Sequence, residues 1–166
     1  EAEVEIISLA HALMKAFGAK KEDFEIRIND RRILWTLMKD EMQLTENESK
    51  EFVRLLDKHG KIPKEEFRNE LHSLVGVQKV KTFFELTESL IKEREHSALR
   101  KNPQFVDHLL QLAKLLEEKG IKNTAYYRYL SRGFDYYTGL VFEVFDTNPD
   151  NRRSLFGGGR YDNLLE

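Results

Sequence analysis

Arg132-Gly133-Phe134-Asp135-Tyr136-Tyr137-Thr138-Gly139-Leu140-Val141-Phe142-Glu143 sets a fixed cation, an acid and two adjacent phenols between two glycines, then runs into an apolar, strand-like stretch. About a dozen residues on, Gly157-Gly158-Gly159-Arg160-Tyr161-Asp162 places three glycines before a second cation, phenol and acid. Few structural purposes need both clusters so close together, and function is sought there. Around them, strands are expected at Ala125 to Leu130, Thr138 to Asp146 and Ser154 to Phe156, with a turn at Thr147 to Asn151 and a short helix from Tyr161.

Toward the N-terminus, Val4, Ile7, Leu9, Ala10, Leu13, Met14 and Phe17 recur at helical spacing, and Gly18 stands where a C-terminal cap belongs. Phe24, Ile26 and Ile28 alternate with Glu25 and Arg27, the pattern of a half-buried strand, and Asn29-Asp30 can cap a following helix through Ile33, Leu34, Leu37 and Met38. From Thr45 to about Gly120 the texture turns helical. Thr45 with Glu48 forms a capping-box pattern, Pro63 opens the next helix, Gly76 separates two more, and Asn102-Pro103 starts another. The expected fold is α+β: an antiparallel sheet with helices, interrupted by an all-helical insertion.

The 166 residues suffice for one ordinary domain, or one domain plus a small appendage, and the formal net charge of −2 gives no general case for nucleic-acid binding. Cysteine is absent, which removes disulfides and thiolate metal sites and fits a cytoplasmic setting. No apolar run approaches the roughly 20 residues of a membrane span, and no signal-peptide pattern opens the sequence. Both ends fall inside helical patterns, which suggests a piece of a longer protein. The five histidines are scattered without ligand spacing, so no metal site is expected. Lys58, Lys61, Lys64 and Arg68 make a basic strip interleaved with Glu65, Glu66 and Glu70, the composition of a solvated helix face.

Arg132 offers a planar fork of donors that suits a phosphate or carboxylate, or equally a salt bridge to Asp135. Successive side chains alternate on a strand, so one of Tyr136 and Tyr137 is expected to pack while the other offers its hydroxyl to a cleft. Two ordinary sheet aromatics would also fit. Glu143 can face solvent or floor a polar pocket. Gly157, Gly158 and Gly159 permit unusual backbone or the close approach of a ligand, but lack the spacing of a P-loop or dinucleotide fingerprint.

Together the two clusters resemble the signature segments of histidyl-tRNA synthetases. Arg132 to Gly139 is similar to the arginine–glycine–hydrophobic–aspartate–tyrosine–tyrosine pattern, with Phe134 where leucine is more usual, and Gly158 to Asp162 is similar to the glycine–glycine–arginine–tyrosine–aspartate element. Phe24 to Arg32 also resembles the strand and helix start preceding the insertion in that family. The resemblance implies a class II enzyme that activates L-histidine with ATP, in the company of Mg2+, and passes the acyl group to tRNA(His). It implies that Arg132 contacts the α-phosphate and the histidine carboxylate, that Tyr136, Tyr137 and Tyr161 shape the histidine pocket, and that the parent is a cytoplasmic homodimer with no membrane association. It divides the chain into catalytic segments at 1–37 and 123–166, with an insertion at 38–122 lying against the tRNA acceptor end. The phenylalanine–arginine–glutamate element that clamps ATP in this class is missing, as are the residues that bind the amino group, the final arginine element and the anticodon-binding domain, so this chain alone is expected to be inactive. Two alternatives stand: a non-catalytic relative, such as the regulatory subunit of ATP phosphoribosyltransferase or a kinase-linked regulatory domain, and a purely structural role for the clusters.

Overall fold

The computed structural model describes residues 1–92, 102–131, 136–151 and 153–163. Helix α1 (Ala2–Ala16) is followed by strand β1 (Phe24–Asp30), α2 (Arg31–Thr36), a π-helical turn (Leu37–Glu41), α3 (Glu46–Asp57), α4 (Lys64–Val75), α5 (Val77–Lys92) and α6 (Pro103–Glu118). Strands β2 (Thr124–Tyr126), β3 (Leu140–Asp146) and β4 (Ser154–Gly159) complete a four-stranded sheet in the order β2-β1-β3-β4.

The expected alternation in β1 decides which face is buried. Phe24, Ile26 and Ile28 are fully covered and meet Val4, Ile7 and Ala10 of α1 and the Val106, Leu109, Leu112 and Leu116 row of α6. Across the antiparallel pairing with β3, Ile26 opposes Val144 and Ile28 opposes Phe142, so β3 adds its apolar residues to the same face. The core continues without a break into the helices through Leu37, Met38, Phe52, Leu71 and Phe83.

The sheet is mixed rather than wholly antiparallel. β1 pairs with β2 in parallel, Ile26 opposite Thr124 and Ile28 opposite Tyr126. Parallel neighbours cannot be joined by a tight turn and need a long crossover. The run from α2 to α6 is that crossover, and its helical content follows from the topology. β2 is also shorter than its sequence suggests: Leu130 N–H turns back to the Tyr127 carbonyl at 2.9 Å. Arg128 leaves the strand to donate to Thr87 Oγ1 (2.9 Å) and to Glu88 on α5.

Helix ends fall where short polar or glycine residues can satisfy them. Asp30 accepts from Arg32 N–H at 2.9 Å, and Thr45 and Glu48 close a reciprocal capping box. After α1, Gly18 N–H meets the Lys15 carbonyl and Ala19 N–H the Met14 carbonyl; after α6, Gly120 and Ile121 do the same with Glu117 and Leu116. These paired bonds define two Schellman closures, with φ of +88° at Gly18 and +81° at Gly120. A Cβ at Gly120 would meet no atom within 4 Å, so any cost of adding one is conformational. Gly120→Ala should therefore destabilise the fold by about 1–2 kcal/mol in urea denaturation, with an unchanged denaturant slope.

Candidate functional site

The junction Asn29-Asp30-Arg31, where β1 becomes α2, holds both ends of the segment that begins at Arg132. Asn29 is fully buried; its Nδ2 donates to the Leu130 carbonyl (2.8 Å) and its Oδ1 accepts Asp30 N–H (2.8 Å). Arg31 Nη1 donates to the Ser131 carbonyl (3.4 Å), and Arg31 N–H to the Gly139 carbonyl (3.0 Å). Arg132 itself lies outside the described residues, as do Gly133, Phe134 and Asp135. Ser131, the residue before it, is buried.

Tyr136 and Tyr137 precede β3 in a turn, and the strand starts at Leu140 rather than Thr138. Strand alternation therefore does not separate them. Their ring centroids are 4.6 Å apart, and Tyr161 joins the cluster 4.8 Å from Tyr136. Thr138 N–H donates to the Arg160 carbonyl (2.9 Å) and Arg160 N–H to the Leu140 carbonyl (2.7 Å), so the two signature segments are laced together directly.

Gly157, Gly158 and Gly159 belong to β4 and carry no positive φ, which corrects the expectation of unusual backbone there. What Gly158 and Gly159 supply is room. A Cβ on Gly159 would lie 2.5 Å from Tyr137 Cδ1 and 2.9 Å from Val141 Cγ1, and one on Gly158 would lie 3.0 Å from Phe142 Cε1. Tyr137 thus lies flat on bare main chain, on the sheet face opposite the core. The helix expected from Tyr161 is a turn at Asp162 and Asn163 within the described residues.

That same face floors a cleft of about 1470 Å³ whose lining includes Arg27, His59, Tyr127, Tyr129, Ser131 and Glu143. Glu143 is neither buried nor idle: it accepts from Ser154 Oγ at 3.3 Å. The Arg27 guanidinium sits 4.5 Å from the Tyr127 ring centre and 4.1 Å from that of Phe145, and pairs with Glu25 at 2.8 Å. His59 stacks on Tyr129 with centroids 3.5 Å apart and places Nδ1 3.0 Å from Tyr127 Oη. Burial pushes the His59 pKa down, and the nearby cations Arg128, Arg27 and Lys64 push the same way. Burial pushes the Tyr127 and Tyr129 phenols up. The wall is held in its neutral forms.

Sequence reading missed Asn29 and Arg31 as anchors and His59, Tyr127 and Tyr129 as a wall. The available signal for the first was a run of four polar residues closing a half-buried strand. Of the basic strip, Lys58 pairs with Glu70 (2.9 Å) and Lys61 with Asp57 (2.7 Å). Among the described residues no group of three or more His, Asp or Glu side chains gathers as a metal site, and no helix is long and apolar enough to cross a membrane.

The fold is that of known synthetase structures. The crystal structure of histidyl-tRNA synthetase from Nostoc sp. PCC 7120 superposes with a TM-score of 0.81 over 98% of this chain and 40% of that one, at 21% identity. A structure titled as an ATP phosphoribosyltransferase regulatory subunit/histidyl-tRNA synthetase, from Bacillus halodurans C, gives 0.76 over 97% and 42%, at 22% identity. Sequence narrows this further. The histidine–tRNA ligase of Leptospira biflexa is 36% identical over 174 residues, covering 99% of this chain and 38% of the relative, and that of Pyrococcus horikoshii is 34% identical over 179 residues, covering 100% and 39%. The family model described as histidyl-tRNA synthetase matches residues 1–166, and the chain belongs to that family. It spans less than two-fifths of the length of these relatives.

Two outcomes check the geometry. Gly159→Ala should displace the Tyr137 ring and cost about 1–3 kcal/mol of stability, read by denaturation and by the tyrosine ring resonances. His59, with its folded pKa below the ordinary imidazole value of 6.5, contributes stability that is complete above that value and is lost as pH falls through the lowered one. The thermal unfolding midpoint should thus fall on acidification below pH 6.5, and His59→Phe, which keeps a ring against Tyr129, should reduce that acid sensitivity.

Proposed function

We propose that the chain is part of a histidine–tRNA ligase, which activates L-histidine with ATP to histidyl-adenylate and transfers the histidyl group to tRNA(His). The observation that supports this best is the convergence of Tyr136, Tyr137 and Tyr161, laced together by the Thr138–Arg160 main-chain bonds directly after the segment that carries Arg132. In the activation step a histidine carboxylate oxygen attacks the α-phosphorus, the bond to the β-phosphate bridging oxygen breaks, and pyrophosphate leaves with its electron pair. On this proposal Arg132 neutralises the charge that builds on the α-phosphoryl oxygens and steadies the carboxylate. Tyr137 hydrogen-bonds the imidazole with its hydroxyl, Tyr136 and Tyr161 close the pocket, and Gly157, Gly158 and Gly159 keep its wall thin. An analogue that leaves those buried polar groups unpaired loses about 1–3 kcal/mol per group.

Mg2+ would enter with the nucleotide's phosphates; the described residues gather no carboxylate cluster to hold it independently. We further propose that residues 1–37 and 123–166 are catalytic segments, that 38–122 is an insertion facing the acceptor end of tRNA, and that the full protein is a cytoplasmic homodimer. The likeness to the Bacillus halodurans structure is at the level of fold and leaves a non-catalytic relative as the competing reading. In the full-length protein, histidine-dependent pyrophosphate exchange is expected, and Arg132→Ala should reduce it by about 10²-fold or more with folding preserved. The 166-residue chain alone should show none. Full activity of Arg132→Ala would remove that residue from the chemistry, and no exchange by the unsubstituted full-length protein would favour the regulatory relative.

A further inference from the structure

A row of alternating charges links the last helix of the helical segment to the tyrosine cluster. It starts at Asp30, fully buried at the head of α2, whose Oδ1 accepts from Arg32 Nε at 2.9 Å. Arg32 Nη2 lies 2.9 Å from His108 Nδ1 on α6, and His108 Nε2 lies 2.7 Å from Glu3 Oε2 in the first turn of α1. An arginine can only donate, so Nδ1 must carry a lone pair and Nε2 the hydrogen, which then points at the Glu3 carboxylate. Both contacts therefore require the same tautomer. The Glu3 side chain is 12% exposed, and its second oxygen lies 3.6 Å from Arg160 Nη1. That oxygen accepts no hydrogen bond among the described residues, leaving the Arg160 charge as its compensation. Arg160 Nε in turn donates to Asp162 Oδ1 (2.8 Å), and Asp162 Oδ2 accepts from Thr138 Oγ1 (2.6 Å).

The two cations and three carboxylates, with His108 and Thr138, come from five segments of chain: the β1–α2 junction, α6 through His108, α1, and the two signature segments. Gly139 leaves room for the Arg160 stem, whose Cδ lies 3.0 Å from where a Cβ on Gly139 would stand. The residue that follows Arg160 is Tyr161, whose ring meets Tyr136. Main-chain bonds to Thr138 and Leu140 hold the Arg160 backbone, whereas only Glu3 and Asp162 among the described residues form ion pairs with its guanidinium. Among the described residues, Glu3 is the one that forms ion pairs with both His108 of α6 and Arg160 of the signature.

We propose that Glu3 and His108 are positioning residues that couple α6 to the tyrosine cluster, so that the seating of the helical segment sets the shape of the amino-acid pocket through Arg160. This rests on the assignment of that cluster as the histidine pocket. Neither residue touches substrate; both act through Arg160.

The test uses the full-length protein carrying Glu3→Gln, His108→Phe and both together. Each single variant should raise the KM for histidine about fivefold while the KM for ATP and kcat stay within about twofold. Because the two residues act in series, the double variant should cost no more than either alone. Deuterium uptake at the amides of Thr138 and Arg160 should rise in all three. A merely structural role would lower thermal stability without this split between substrates. An unchanged histidine KM in both single variants, or additive effects in the double, would overturn the coupling. If the unsubstituted protein shows no histidine-dependent exchange, the functional assignment fails instead, and the relay is then decided by deuterium uptake: unchanged uptake in both variants overturns it.

Discussion

The hydrogen bonds of the Asn29-Asp30-Arg31 junction are the constraint from which the site is built. Three consecutive polar residues are buried where a strand becomes a helix, a costly arrangement unless each group is paired. Their partners are the carbonyls of Leu130, Ser131 and Gly139, which bracket the segment containing Arg132. The penalty for burying unpaired amide and guanidinium groups is thereby converted into a restraint on Leu130, Ser131 and Gly139, some hundred residues away. Loops are poor at holding geometry by themselves, and functional side chains gain from attachment to rigid elements. Here the rigidity is borrowed from β1, one of the two strands with partners on both sides.

Topology explains why the helical segment sits where it does. A parallel β1–β2 pair requires a crossover, and among its described residues this chain makes it with five helices and a π turn instead of one helix. The crossover then has to be fixed back onto the sheet it connects. Arg128 does this directly after β2 by bonding to α5, and His59 does so by stacking on Tyr129 after α3. Both contacts lie beside the open sheet face. Thus the elements that return the chain to the sheet also raise the far wall of the cleft.

Local features were legible in the sequence because they depend on neighbours within a few positions. The Phe24, Ile26 and Ile28 alternation, the Thr45–Glu48 capping box and the stop at Gly18 all follow from that range, and the structure carries each of them. The parallel pairing was not legible, since strand direction depends on a partner about a hundred residues distant. Nor was the end of β2 at Tyr126, because Tyr127 and Tyr129 have ordinary strand propensity and leave the sheet only for contacts with Arg27 and His59. The glycines were seen, but their reason was not. Composition suggested freedom of backbone, whereas Gly159 is extended and serves by lacking a Cβ under the Tyr137 ring. Steric need of that kind is invisible until the ring above it is placed.

The electrostatics of the cleft follow from the same geometry. His59 is kept neutral by burial and by three neighbouring cations, and the phenols of Tyr127 and Tyr129 are kept neutral by burial. The Arg27 charge is spread against two aromatic faces and matched by Glu25. A wall made this way offers polar edges without a net charge of its own. The cleft lining balances its remaining charges in the same way, with Lys21, Lys61, Lys122 and Arg153 facing Glu22, Asp57, Glu143 and Asp146, and charges in a partly enclosed cleft interact more strongly than in bulk water.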